Sequence, residues 1–468
     1  MEKKTDQQFN RVLTRIDVLF LAFGAMIGWG WVVLSGEWII SAGSIGAIIA
    51  FLIGGVLVTF VGLTYAELSS AIPKAGGGLY FVLRALGPKA AFIAAWAIAL
   101  GYISVVAFEA VALPTVIEYL FPNFKFGYLW TVAGWDVYAS WVLIGVVGSL
   151  FITAINYRGI KEAAFFQTLL TIAIFLVGML LLGGSLANGE TMLLKPFFKD
   201  GWAGLFSVML MTPFMFVGFD VVPQAADEMN IPFKSIGRIL ILSVVLAVLF
   251  YVAVIFGVSY VLPLNEIVNS SLPTADAMSA AFGNPFFAKV LIIGGLAGIL
   301  TSWNAFIIGG SRILYAMAKE NVLPRWFAYI HPKYKTPSNS IWFIGILSTF
   351  APFLGRPMLV WLVDAGGLTI TIAYFMVAWA FIVLRKKEPD MPRPFQAGRL
   401  PIVGWIALAF TIGFILLYMP GMPSQLVWPY EWAIFLGWWV IGIVFLIRIN
   451  RMKKSGQWTA KVQEAEEL

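Results

Sequence analysis

Residues 24–31 read GAMIGWGW and residues 211–223 read MTPFMFVGFDVVP, and each stretch sits in the middle of a long apolar run. Glycine lets a chain leave helical geometry without a Cβ clash, and proline removes a backbone donor and breaks the helical hydrogen-bond ladder. In hydrocarbon, backbone groups outside a helix persist only where they line a cavity or a ligand. Gly24, Gly28 and Gly30 in the first stretch, and Pro213, Gly218 and Pro223 in the second, therefore mark two interrupted membrane helices. The plainer reading is that glycine packs helices closely and proline merely kinks them. The pairing of two such interruptions favours discontinuity.

The surrounding composition makes lipid the natural solvent. The chain of 468 residues is 60% hydrophobic and only 12% charged, against about 25% charged in soluble domains. Its mean hydropathy is +0.88. With no Cys, disulfides, thiolate nucleophiles and Cys-bound metals are excluded. The single His, His331, lies in the polar run HPKYKTPSNS, so neither a multi-His metal site nor a histidine relay in the membrane can be built. Carboxylates, hydroxyls, backbone dipoles and aromatic rings are what remains, and they suit a transporter better than an enzyme.

A helix needs about 20 apolar residues to cross about 30 Å of hydrocarbon. Twelve stretches qualify, at 16–40, 43–71, 90–120, 137–157, 164–186, 202–226, 236–262, 284–318, 340–355, 359–384, 400–420 and 430–449. The ninth is the shortest. The first is followed directly by more membrane helix and has no small-residue cleavage site, which argues against a cleaved signal peptide. With the N-terminus inside, 26 of the 31 Lys and Arg fall on the cytoplasmic side. Only Lys125, Lys195, Lys199, Lys289 and Arg356 fall outside. Cytoplasmic loops collect Lys and Arg, so the expectation is twelve spans in the plasma membrane with both termini cytoplasmic. The net charge of +7 is a topological signal, and no basic domain free of spans exists to bind nucleic acid.

The two interruptions fall in spans one and six, corresponding positions if the chain is two five-helix repeats followed by two extra helices. The expected organisation is a cytoplasmic N-terminus (1–15), a first repeat (16–186), a second repeat (200–385), two added helices (400–449) and a cytoplasmic tail (450–468), all-α throughout. Paired breaks of this kind point to a transporter's substrate site, where half-helix ends present free NH and carbonyl groups to an ionic ligand.

The chain resembles the amino acid, polyamine and organocation (APC) permeases. The resemblance rests on GAMIGWG at 24–30, YAELSSAIPKAGGGLYFVLRALGP at 65–88, NYRGIKEAAFFQ at 156–167, FVGFDVVPQAADEMNIP at 216–232 and SRILYAMAKENVLP at 311–324. It is clear from Arg15 to Pro324 and looser beyond. It implies five plus five inverted-repeat helices, broken at helices 1 and 6, working by alternating access. It further implies a substrate carboxylate held near Ile27 on the amides of Gly28, Trp29 and Gly30, and an amine on the carbonyls of Phe216, Gly218 and Phe219. Phe216 resembles the family's aromatic gate. The chain departs from the family in carrying Trp29 where Ser is common and Trp31 where an aliphatic residue or Phe is common. A Trp offers no hydroxyl to a carboxylate; it narrows a pocket or offers a π face to an ammonium. That leaves room for an unusual amine or polyamine beside a small amino acid.

Two carboxylates lie deep in apolar spans and are functional candidates for that reason. Asp220 stands beside the sixth-span break, where capping the broken helix is its alternative role. Glu109 stands seven residues after Tyr102, two turns along one helical face. Its choices are to meet a substrate amine, to carry a proton, or to face water at the extracellular end. Span eight reads GGLAGILTSWNAF, placing Gly298, Thr301 and Ser302 on one face. Two hydroxyls, the carbonyl of Gly298 and the carbonyls of Gly24 and Ile27 would supply five oxygens to sodium, as in sodium-coupled relatives of the fold. The lysine that some family members place in span five is Ile174 here. Sodium coupling is the preferred expectation, against hydroxyls that simply bond back to their own helix; proton coupling through Asp220 and Glu109 is the competitor.

Glu67, Asp227 and Glu228 read as gate or loop pairs with Lys74, Arg84, Lys234 or Arg238, with a plain solvated face the favoured alternative. Arg385, Lys386 and Lys387 read as topological charges, and the acidic end QEAEEL as uninformative. No cofactor beyond a coupling ion and no obligate protein partner is expected. A transporter-like channel or sensor is the reading from another class; it would add a polar pore ring or a soluble signalling domain.

Overall fold

The computed structural model describes residues 9–454 except 122, 271, 399, 400 and 423, with side chains described as far as residue 447. Lys3, Lys4, Arg399, the side chains of the basic tail from Arg448 and the end QEAEEL lie outside that description.

Helices occupy every expected stretch. The first is three pieces, α1 (Arg15–Met26), α2 (Gly30–Val33) and α3 (Ser35–Ala42), followed by α4 (Ser44–Ala71). A short connecting helix, α5 (Gly77–Leu86), leads to α6 (Pro88–Leu120). A hairpin of β1 (Tyr128–Val132) and antiparallel β2 (Trp135–Tyr138) precedes α7 (Ala139–Arg158) and α8 (Ile160–Asn188). The sixth stretch is again broken, into α9 (Gly201–Met215) and α10 (Val221–Gln224). Then come α11 (Phe233–Val261), the short α12 (Leu264–Asn269) and α13 (Pro273–Phe282), and α14 (Phe286–Lys319). The chain finishes with α15 (Ser338–Thr349), α16 (Met358–Lys387), α17 (Ile402–Leu417) and α18 (Tyr430–Lys454).

Among the described residues, eight helices are long and apolar enough to cross a membrane: α4, α6, α7, α8, α11, α14, α16 and the Tyr430–Ile447 part of α18. The other four expected spans are the two broken ones and the shorter α15 and α17. The structure describes no single helix crossing in the first or sixth stretch because Ile27 to Trp29 and Phe216 to Asp220 leave helical hydrogen bonding there.

Local chemistry starts these elements where they start. Thr14 and Asp17 form a reciprocal capping box on α1, with the Thr14 amide donating to the Asp17 carboxylate at 2.9 Å. Pro88 opens α6 and Pro232 precedes α11, where a missing amide costs nothing. In the packing, α11 lies along α4, α16 along α6, and α14 against both α6 and α8. The broken first stretch is enclosed by α8, α11 and α14. Apolar residues such as Val56, Leu143, Leu176, Leu249 and Val440 cover the outside, as a lipid-facing surface requires. Among the spanning helices α18 is the most peripheral and largely exposed, whereas α6 and α14 are mostly buried.

Candidate functional site

The two breaks meet. Gly218 has φ +134°, and a Cβ there would stand 2.7 Å from the Ala25 Cβ and 2.9 Å from the Met26 nitrogen. No side chain fits, so only glycine lets the sixth-stretch break lie on the backbone of the first. The Tyr251 hydroxyl of α11 lies 2.8 Å from the Met26 carbonyl and 3.2 Å from that of Met215, so it bridges the last turns of α1 and α9. These are helix C-terminal carbonyls that would otherwise lack partners.

Beside this crossing lies a cavity of about 690 Å³ lined by Gly28, Trp29, Gly30, Glu109, Val217 and Ser302, among others. It extends to Arg356, Ser424 and Gln425, near the end of the bundle that carries the hairpin. The backbone amides of Gly28, Trp29 and Gly30 make no hydrogen bond among the described residues. Such a run of unpaired amides offers an anion a place to bind.

Glu109 is 2% exposed. Its Oε2 has no partner among the described residues, and the Ser302 Oγ stands 3.5 Å from where a Cβ on Gly28 would be. Its Oε1 lies 3.3 Å from where a Cβ on Gly28 would be. Glu109, Ser302 and the first-stretch break are thus one cluster on the cavity wall, and an uncompensated carboxylate at this depth is costly unless a cation or proton meets it. Glu109 thus stands on the cavity wall and not on the outer surface of the bundle.

Asp220 and Tyr102 form a separate cluster away from that lining. The Tyr102 hydroxyl donates to Asp220 Oδ2 at 2.6 Å, and Tyr374 and the Gly218 amide donate to Oδ1 at 3.1 Å each. Asp220 is fully buried with three donors, an arrangement that ties the sixth-stretch break to α6 and α16. Tyr102 and Glu109 share a helix and are both buried, yet they serve different clusters. Phe216 is also fully buried, packed against Phe51 and Tyr251 at ring distances of 6.1 and 5.5 Å. The Phe216 carbonyl has no partner among the described residues, whereas those of Gly218 and Phe219 accept from Val221 and Val222.

Of the residues expected to hold sodium, Ile27 lies against Gly298 and Gly24 against Thr301. A Cβ at Gly298 would be 2.6 Å from the Gly28 carbonyl and 3.0 Å from that of Ile27, and one at Gly24 would be 3.3 Å from the Thr301 Cβ. The Thr301 hydroxyl donates to the Gly298 carbonyl of its own helix at 3.0 Å. The span-five residues facing Gly24 are Gln167 and Thr171, which donate to the Phe20 carbonyl at 3.3 and 3.4 Å. Ile174 is fully buried.

The opposite end of the bundle is closed by paired charge, and here the solvated-face expectation is corrected. Glu67 accepts from Arg385 at 2.9 and 2.5 Å and lies 3.2 Å from Arg393. Glu228 holds Arg312 through two contacts of 2.8 Å, with both side chains buried. Burial raises the Glu228 carboxyl above its ordinary value, and the adjoining guanidinium opposes that rise. Arg84 pairs with Glu388. Neither Glu67 nor Glu228 takes a partner from the expected set, and Arg84 of that set pairs with Glu388 instead. The segment before α1 seals the same end: Val12 and Leu13 donate to the Glu228 carbonyl at 2.9 and 3.0 Å, and Leu13 bridges Met229.

Sequence reasoning missed Tyr251, Met215 and Asp364. Tyr251 carries the one signal that could have found it, a hydroxyl within the apolar run of α11. Asp364 lines the outer cavity.

Broken helices meeting at an apolar-walled cavity with unpaired amides and a lone buried carboxylate define a membrane solute carrier. The sequence profile of the amino acid permease family matches residues 13–446, and the chain belongs to that family, within the APC superfamily, as a multi-pass membrane protein. It is 29% identical over 456 residues to the branched-chain amino acid permease BcaP of Bacillus subtilis (strain 168), covering 95% of this chain and 94% of that one. It is 27% identical over 459 residues to the methylthioribose transporter of the same organism, covering 94% of each. A third relative, cationic amino acid transporter 7, chloroplastic, of Arabidopsis thaliana is 26% identical over 423 residues, covering 88% of this chain and 70% of the other.

Proposed function

We propose that this chain is a secondary active transporter that moves a small amino acid across the cell membrane by alternating access. The observation that carries the reading is the conjunction on one cavity wall of three unpaired amides, at Gly28, Trp29 and Gly30, with the unpartnered carboxylate oxygen of Glu109. A zwitterion matches it, with carboxylate on the amides and ammonium toward Glu109 and the free Phe216 carbonyl. Twelve crossings as a five-plus-five inverted repeat, with both termini cytoplasmic, belong to the same proposal and are supported by the paired breaks and the distribution of Lys and Arg. On that topology the cavity opens outward and the paired charges close the cytoplasmic end.

Sodium is the proposed coupling ion, bound among Gly24, Ile27, Gly298, Thr301 and Ser302. The close approach of the Ile27 and Gly28 carbonyls to Gly298 supports it. Thr301 keeps a lone pair for a cation while donating to Gly298, and the Ser302 hydroxyl lies beside Gly28. The second reading, proton coupling or exchange of a non-standard amine, is favoured by Glu109, a buried carboxylate with no cation beside it among the described residues. The relatives' names span a branched-chain amino acid, methylthioribose and cationic amino acids, so substrate is set by pocket side chains rather than by overall similarity.

The test is uptake of labelled amino acids into proteoliposomes. A sodium gradient at fixed membrane potential is expected to drive accumulation. Indifference to sodium together with a response to a proton gradient would replace sodium by Glu109 as the coupling element.

A further inference from the structure

Trp29 replaces the small residue common in the family, yet the cavity beside it is open, because the indole has somewhere to stand. Trp29 lines the cavity while being only 5% exposed. Its six-membered ring fills a notch on α14 at Gly295. A Cβ on Gly295 would lie 2.3 Å from Trp29 Cζ3, 2.9 Å from Cε3 and 2.8 Å from Val32 Cγ2. Carbon atoms in contact sit about 3.5–4.0 Å apart, so even one methyl group there is incompatible with this ring position. Val32 presses into the same notch, which leaves the cavity as the direction in which a displaced indole moves. The facing wall is of another kind: the Met215 thioether lies against the first stretch, 2.7 Å from where a Cβ on Gly30 would be. Methionine adapts its shape, and a planar indole does not.

We propose that Gly295 and Trp29 together set the upper size limit of the substrate: Gly295 is a positioning residue that holds the indole back, and Trp29 is the wall a larger side chain meets. This rests on the reading of the cavity as the amino acid site and adds to it a determinant of which amino acids enter. A methyl at position 295 moves the ring inward by roughly 1 Å or more, a loss of about a methylene's worth of room. One methylene in an apolar pocket discriminates by about 10-fold or more.

The experiment uses the full-length protein in proteoliposomes and measures inhibition constants of alanine, valine, leucine and phenylalanine against a transported label. If no member of the series competes in the wild-type protein, the amino acid site itself is refuted before any variant is read. Given competition, Gly295→Ala is expected to weaken the largest accepted member about 10-fold or more relative to alanine. Trp29→Ala in the same background is expected to restore it. In the Gly295 background Trp29→Ala is expected to extend the accepted series by at least one larger member, an arm that stands if Gly295→Ala does not fold. Equal weakening of all members by Gly295→Ala, absence of rescue in the double variant, or an unchanged size limit in Trp29→Ala would each overturn the proposal.

Discussion

The two ends of the bundle handle buried charge in opposite ways. At the sealed end each deep carboxylate has a cation: Glu228 has Arg312, and Glu67 has Arg385 with Arg393 beside it. At the cavity the buried Glu109 has an oxygen with no partner among the described residues, next to three unpaired amides. A buried carboxylate satisfied by the protein has little left for a ligand, whereas an unsatisfied one is stabilised by whatever cation or proton arrives. The sealed end therefore holds a conformation, and the cavity end is completed by its cargo. Asp220, beside the sixth-stretch break, follows the sealed end: three donors satisfy it, and it braces.

The largest expected effect breaks the sealed end. Glu228→Ala leaves Arg312 buried without compensation, and removing one partner of such a pair costs about 3–5 kcal/mol. Thermal or denaturant unfolding in detergent is expected to show a loss of that order, and the double substitution of Glu228 and Arg312 by Met is expected to recover most of it. A loss no greater than that of an exposed pair such as Arg84 with Glu388 would remove the contrast. Next comes the brace. Asp220→Asn keeps the shape but weakens bonds from Tyr102 and Tyr374, at about 1–3 kcal/mol of stability, with substrate affinity changed less than by substitution at Glu109. The smallest effect is on the hairpin over the cavity end. Trp130→Phe deletes the 2.9 Å bond to the Phe353 carbonyl and is expected to cost about 0.5–1.5 kcal/mol, read as faster hydrogen exchange in the hairpin with wild-type uptake.

Much of the architecture is legible in the sequence because membranes make backbone errors expensive. The interruptions at Gly24 to Gly30 and Pro213 to Pro223 could be located from glycine and proline alone. The depth of Glu109 and Asp220 followed from charge in apolar runs. What could not be read is pairing across the bundle. Arg385 looks like a topological charge among Lys386 and Lys387, and only packing of α16 beside α4 reveals it as the partner of Glu67. Tyr102 and Glu109 have the right spacing to act together, but small differences in azimuth send one to Asp220 and the other to the cavity wall. Whether Trp29 narrows the pocket depends on Gly295, 266 positions away in the chain; no local pattern links them.

The most direct test of the division between a satisfied brace and a waiting carboxylate is ligand-induced thermal stabilisation of Glu109→Gln and Asp220→Asn side by side, against the amino acids that stabilise the wild-type protein. Removing the charge that faces the substrate amine is expected to weaken binding about 100-fold, so Glu109→Gln should show no shift at concentrations that saturate wild type. Asp220→Asn should start from a lower melting temperature and still shift. A wild-type shift in Glu109→Gln, with the response lost in Asp220→Asn, would contradict the account.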